Sequence, residues 1–336
     1  MPMTSRLHRA WLVAGVTFLV LLASAAFRSS VGVMIVPLED EFGWTRSATS
    51  LAISVNLVFY GLTAPFAAAL MERFGIRRIA ALALLLISAG TGLTLLMTQS
   101  WQLVLLWGVL VGLGTGSTAL VFGALVTARW FAHRRGLVLG VLGAAWATGQ
   151  LVFLPFLAHT IETQGWRYAS LGISLACLAL IPLVWFVVAD RPSDVGLRPY
   201  GATGDLTDAE QEKNATHSGW SAAGRALSTL RSAASTRAFW LLAGTFFVCG
   251  WTTNGIISSH FVPAMHDHGM GATAASSLLA VVGLFDLLGT LGSGWLSDRV
   301  DPRYLLVAYY GLRGVALLAL PLFLGPDIDP PLLVVM

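Results

Sequence analysis

The sequence predicts an all-α membrane protein made of two parallel copies of a six-helix unit, the second copy incomplete. Three observations carry that expectation. Hydrophobic residues make up 56% of the 336 and charged residues 11%, with a mean hydropathy of +0.75, whereas a soluble domain carries about 25% charge. The apolar residues gather in runs of about 20, the length that crosses a bilayer. A shift of 226 residues lays one stretch of the chain on another.

Taken in order, the apolar runs place spans near 11–36, 47–70, 79–98, 101–127, 136–158, 168–189, 238–262, 273–296 and 304–324, and a tenth run begins at 330–336. The first run follows Arg6, His8 and Arg9 and ends near Ala23-Ser24-Ala25, a pattern shared with cleavable signal peptides. The repeat argues for keeping it as span 1. Loops are short except 190–237, whose six basic and six acidic residues and Gly/Ser/Thr/Ala-rich middle predict a solvated linker, with a short interfacial helix near 219–237. The domains are then 1–189, the linker 190–237, and an incomplete second half 238–336. Asn214-Ala215-Thr216 in the linker fits a glycosylation sequon, read as a chance match on the cytoplasmic side.

Lys and Arg fix the orientation. Sixteen of the 20 lie on the side that carries the N-terminus, two (Arg46 and Arg167) lie on the other, and Arg28 and Arg313 fall inside spans. Positive charge stays on the cytoplasmic side, so the N-terminus is expected there. The same distribution removes any need for nucleic acid to explain the net charge of +3.

The 226-residue shift places Pro37 and Gly43 on Pro263 and Gly269, and without a gap Leu70, Glu72, Arg73 and Arg77 on Leu296, Asp298, Arg299 and Arg303. Span 1 then corresponds to span 7. Copies six spans apart keep the same orientation, a design used by transporters that rock two halves about a central site.

The loop Ala68-Ala69-Leu70-Met71-Glu72-Arg73-Phe74-Gly75-Ile76-Arg77-Arg78 and its second copy from Gly294 to Arg303 resemble the signature loop of the major facilitator superfamily. The first copy has Ala68 and Glu72 where the second keeps Gly294 and Asp298. Glu41-Phe42-Gly43-Trp44-Thr45-Arg46, Arg129-Trp130-Phe131 with Arg134-Arg135-Gly136, Gly165-Trp166-Arg167 and Arg191 to Leu197 are similar to stretches of bacterial relatives of monocarboxylate transporters and oxalate/formate antiporters. The resemblance implies twelve spans, so that most of helix 10 and all of helices 11 and 12 are lacking. It implies a cavity lined by helices 1, 4, 7 and 10, and gating by Glu72, Arg73, Arg77, Asp298, Arg299 and Arg303, with the acidic residues capping helices of the opposite half. Asp298 would reach the start of span 5 near Gly136, and Glu72 would need helix 11. Span 5 has Gly140, Gly143 and Gly149 without the Gly-Pro motif of drug/proton antiporters.

Three intramembrane charges stand out, because each costs at least about 2.5–3.5 kcal/mol near the bilayer centre. Arg28 lies seventeen residues after Trp11, about 25 Å along a helix. It either snorkels to the outer surface or offers its planar fork to a carboxylate. Asn254 is its equivalent in span 7. Asp286, deep in span 8, is a candidate proton carrier or a structural partner of a neighbouring helix. The resemblance implies an Arg four residues on, where Thr290 stands. Arg313 in span 9 is expected to bond carbonyls or Asp286. His260, Gln150 and Asn56 are polar residues that serve a substrate or a helix neighbour; the substrate set is taken as Arg28, Asn254, His260 and Gln150.

Other signals read blandly. Cys177 and Cys249 lie in apolar runs as small hydrophobes. Gly108, Gly112 and Gly116 sit in a span with no strand before them, so they serve close helix packing and not a dinucleotide. His266, Asp267 and His268 in one short loop are too few for a metal. No metal, cofactor, catalytic residue or enzymatic activity is expected. The reading is a secondary active transporter of a small organic anion, monocarboxylate-like, with lipid, substrate and protons as its partners, in the bacterial inner membrane. A transporter of another small solute, and a truncated, non-transporting membrane protein, receptor or scaffold, are the alternatives.

Overall fold

The computed structural model describes residues 8–202, 230–297 and 299–323. Nine helical segments among them match the nine expected spans. They are α1 (Arg9–Phe42), α2 (Arg46–Phe74), α3 (Ile76–Leu96), α4 (Ser100–Trp130), α5 (Arg135–Gln164), α6 (Trp166–Val187), α7 (Arg237–Asp267), α8 (Ala272–Ser297) and α9 (Pro302–Phe323). Seven of them (α1 through α7, counting α2 to Ala64) are long and apolar enough to cross a membrane, and α8 adds a shorter apolar stretch, Ala272–Asp286. The run 330–336, Asp298 and the linker residues 203–229 with Asn214 lie outside the described residues.

The repeat is written in the helix boundaries. α2 and α8 begin at Arg46 and Ala272, and α3 and α9 at Ile76 and Pro302, both pairs 226 residues apart. α1 and α7 end just before equivalent glycines, Gly43 at φ 65° and Gly269 at φ 84°, a left-handed conformation that costs other residues roughly 1–2 kcal/mol. Span 1 is longer than the apolar run suggests: α1 continues through Pro37 to Phe42. Membrane helices tolerate such a proline because neighbouring elements satisfy the freed backbone groups.

Within the first half α1 is central, packing on α5 and α6, while α3 lies against α6 and α2 against α4. Glycines make the last contact possible. A Cβ added at Gly108, Gly112 or Gly116 would lie 2.8 Å from Val55 Cγ1, 2.9 Å from Phe59 Cβ or 2.7 Å from the Tyr60 carbonyl. Buried polar links join the same helices: Asn56 Nδ2 donates to the Trp107 carbonyl at 2.6 Å, Ser24 and Thr118 share a 2.6 Å bond, and Ser88 and Ser174 one of 3.1 Å. Two spans carry π-helical stretches. α4 is wound as a π-helix over Val104–Val111 and breaks at Thr118 and Ala119, and α7 is π-wound over Trp251–His260.

The start of the expected linker docks on the first half, with Arg191, Ser193, Asp194, Gly196 and Arg198 exposed. Asp190 Oδ1 accepts from the Arg77 backbone N–H at 2.9 Å, at the start of α3. Tyr200 donates its N–H to the Trp130 carbonyl at 2.8 Å and accepts from the backbone of Ala132 and His133. Its ring meets those of Trp11 and Phe131. Further on, residues 230–234 form a helical turn.

Candidate functional site

Between the two halves lies a cavity lined by Arg28 and Val31 of α1, Ile53, Asn56 and Leu57 of α2, Trp146 of α5, and Ser258 and Ser259 of α7. Its empty space is about 320 Å³, including its opening to solvent. Arg28 is the cation of this site, with its Nη1 sealed from solvent. The guanidinium carbon sits 4.3 Å from the centre of the Tyr60 ring and 4.7 Å from that of Trp146. A desolvated cation–π contact is worth about 2 kcal/mol or more. Both rings present their faces to the guanidinium at the edge of the cavity.

The cavity is shut at the end of the bundle that carries Gly43. One turn beyond Arg28, α1 meets the π-wound part of α7 so closely that a Cβ on Gly32 would lie 2.8 Å from the Ser258 carbonyl and 3.1 Å from that of Ser259. Above this contact Arg46 bridges Glu39 of its own half (3.3 Å) and Asp267 of the other (2.6 Å). Glu162 at the end of α5 accepts from the Thr273 backbone N–H at 2.7 Å and bonds the Thr273 hydroxyl, at the start of α8. Gln150 and Gly283 mark the α5–α8 contact near mid-span, a Cβ on Gly283 lying 3.5 Å from Gln150 Oε1. Towards the N-terminal end, Gly136, Gly140 and Gly143 of α5 and Gly289 of α8 have nothing within 4 Å of an added Cβ. The halves touch at the Gly43 end and again near mid-span, where Gly283 meets Gln150.

The Major Facilitator Superfamily model matches residues 17–336. This chain belongs to the major facilitator superfamily. It is 27% identical over 310 residues to the "Uncharacterized MFS-type transporter YcxA" of Bacillus subtilis, covering 89% of this chain and 67% of that protein. It is 29% identical over 323 residues to "Monocarboxylate transporter 11" of Mus musculus, covering 93% of this chain and 65% of the relative. The chain thus spans about two thirds of the length of its curated relatives. Among solved structures, the partially occluded inward-open xylose transporter XylE from E. coli superimposes with a TM-score of 0.60 at 16% identity, over 88% of this chain and 74% of that one. That likeness shows the shared fold. The chain is therefore an integral membrane protein of the major facilitator fold, with two parallel pseudo-repeats.

Within this major facilitator fold the residues singled out from sequence fall in different places. Arg28 lies in the cavity between the halves. Gln150, one turn along α5 from Trp146, meets α8 instead of the cavity. His260 is partly buried further towards the closed end, with Arg46 and Glu39 as its charged neighbours. The side chain of Asn254 lies outside the described residues. Asp286 is exposed on α8 and not enclosed among helices. Among the described residues Arg313 bonds neither Asp286 nor a carbonyl: its Nη1 donates to Cys249 Sγ at 2.9 Å and its Nη2 to the Thr253 hydroxyl. Cys249 thus serves as a hydrogen-bond acceptor, beyond the small hydrophobe expected.

Of the signature-loop residues, Glu72, Arg299 and Arg303 are exposed, and Arg73 lies over the Phe74 ring at 4.9 Å. Arg77 donates to the Trp185 carbonyl at 3.2 Å. Asp190, which the sequence reading passed over, is the carboxylate that engages the first copy of this loop. Asp298, expected near Gly136, lies outside the described residues.

Proposed function

We propose that the chain is the core of a secondary active transporter that moves a small organic anion, monocarboxylate-like, by alternating access. Arg28 carries the reading. Its planar fork, held between two rings in a cavity bounded by both halves, suits the edge of a carboxylate. Asn56, Ser258 and Ser259 add polar contacts, and Val31, Ile53 and Leu57 an apolar wall for the body of the anion. The monocarboxylate transporters among the relatives support the same substrate class.

With the N-terminus in the cytoplasm of a bacterial inner membrane, as the bias of basic residues favours, the closed Gly43 end faces outward, which fits an inward-facing state. Asp286 is the proposed proton site. It is an acidic residue set within the apolar span α8, and acidic side chains inside spans mark proton and ion paths in transporters.

Uptake of labelled monocarboxylates into proteoliposomes tests both. Arg28→Ala should abolish uptake while leaving the fold intact, and Asp286→Asn should remove the pH dependence of net uptake while sparing exchange. Full uptake by Arg28→Ala would end the assignment of Arg28.

A further inference from the structure

Two sequence stretches flank the closed end of the cavity, Glu41 to Arg46 across the junction of α1 and α2 and Gly165 to Arg167 at the start of α6, and the substrate site uses neither. Glu41 accepts from Trp166 Nε1 at 2.7 Å and pairs with Arg167 at 2.5 Å. The rings of Phe42 and Trp44 stack at 4.5 Å beside Trp166. All of these belong to the first half, so they move together when the halves rock.

Arg46 and Glu162 differ, since each reaches across. Arg46 is shared between Glu39 of its own half and Asp267 of the other, so opening this end costs it one partner and leaves the second in place. Glu162 sits at the N-terminus of α8, where the first turn has unsatisfied N–H groups and a positive partial charge. Its carboxylate takes the N–H and the hydroxyl of Thr273, as an N-cap side chain would, but from the opposite half.

We infer that Glu162 and the Arg46–Asp267 pair form a releasable lock that holds the Gly43 end shut, with Glu41, Trp166 and Arg167 as a fixed rivet inside the first half. Glu162 is a positioning residue for the transport cycle: it stabilises the inward-facing arrangement and releases α8 when the halves separate outside. The lock acts at the end opposite the signature loops. It rests on the alternating-access reading, but it does not depend on the substrate.

The test reads accessibility. In the full chain with Cys177→Ser and Cys249→Ser, the substitution Ser258→Cys puts a thiol behind the Gly32 contact, and a membrane-impermeant thiol reagent is added outside intact cells. His266→Cys, on the exposed rim, marks the external side. Loss of a helix cap by Glu162→Ala should speed labelling of the Ser258→Cys thiol about fivefold. Loss of the exposed pair by Asp267→Ala should speed it about 1.5- to 5-fold. Glu41→Ala should leave the rate unchanged. Asp267 is exposed at the rim, so its variant reports even if Glu162→Ala folds poorly. Labelling at the parental rate in both cross-half variants, or equal acceleration by Glu41→Ala, would overturn the lock. Should labelling respond while the parent chain, with Ser258 intact, takes up no monocarboxylate, the lock stands and the substrate reading falls.

Discussion

Gly32 of α1 packs against the backbone of α7 in the other half, and Gly32→Ala should push the halves apart. The added Cβ would lie 2.8 Å from the Ser258 carbonyl and 3.1 Å from the Ser259 carbonyl. Both are backbone atoms of α7 and cannot rotate away as a side chain would. Overpacking of this kind costs about 1–3 kcal/mol, which corresponds to a shift of about 5- to 150-fold against the closed arrangement. Spin labels on Asp40→Cys and His266→Cys, both exposed at the Gly43 end and one in each half, report the separation by dipolar spectroscopy in a background free of Cys177 and Cys249. Gly32→Ala should move the distance distribution to longer values. Gly15→Ala in the same helix, where an added Cβ meets nothing within 4 Å, should leave it unchanged. An unaltered distribution in Gly32→Ala would refute the claim that this contact closes the cavity.

Two further outcomes follow from the first half. Gly75 has φ 93° and ψ 149°, and an added Cβ would run into the Asp190 carboxylate; Gly75→Ala should therefore destabilise the fold by about 1–3 kcal/mol, seen as a lower melting temperature of the detergent-solubilised chain. Asn56→Ala removes the 2.6 Å bond to the Trp107 carbonyl and should cost about 1–3 kcal/mol by the same measurement, whereas a melting temperature equal to the parent's would show that water replaces the amide.

The helices and their repeat were legible because hydropathy and register survive without tertiary information. A 226-residue offset found in two loops reappears in the first residues of α2 and α8 and of α3 and α9. The end of α1 was not legible, since Pro37 and the acidic residues that follow it look like a loop until Gly43 closes the helix.

Intramembrane charge identified Arg28 and Arg313 but not their partners. Tyr60, Trp146 and Cys249 are ordinary span residues until three-dimensional packing brings them beside a guanidinium. Equivalence by repeat gives no firm facing for Asn254, because α7 is π-wound there while α1 is a regular helix, and the wider winding changes the angular phase. One signal was available and unused. Only Arg46 and Arg167 defy the bias of basic residues towards the N-terminal side, and both are held by carboxylates at the closed end.

Binding of a labelled monocarboxylate to the purified chain, measured directly for the parent, Arg28→Lys and Arg28→Ala, tests the central claim. Lys keeps the charge but loses the planar fork and much of its stacking on Tyr60 and Trp146. The account predicts saturable binding by the parent, weakening of about tenfold or more in Arg28→Lys, and none detectable in Arg28→Ala. Equal affinity in all three would show that the anion site lies elsewhere.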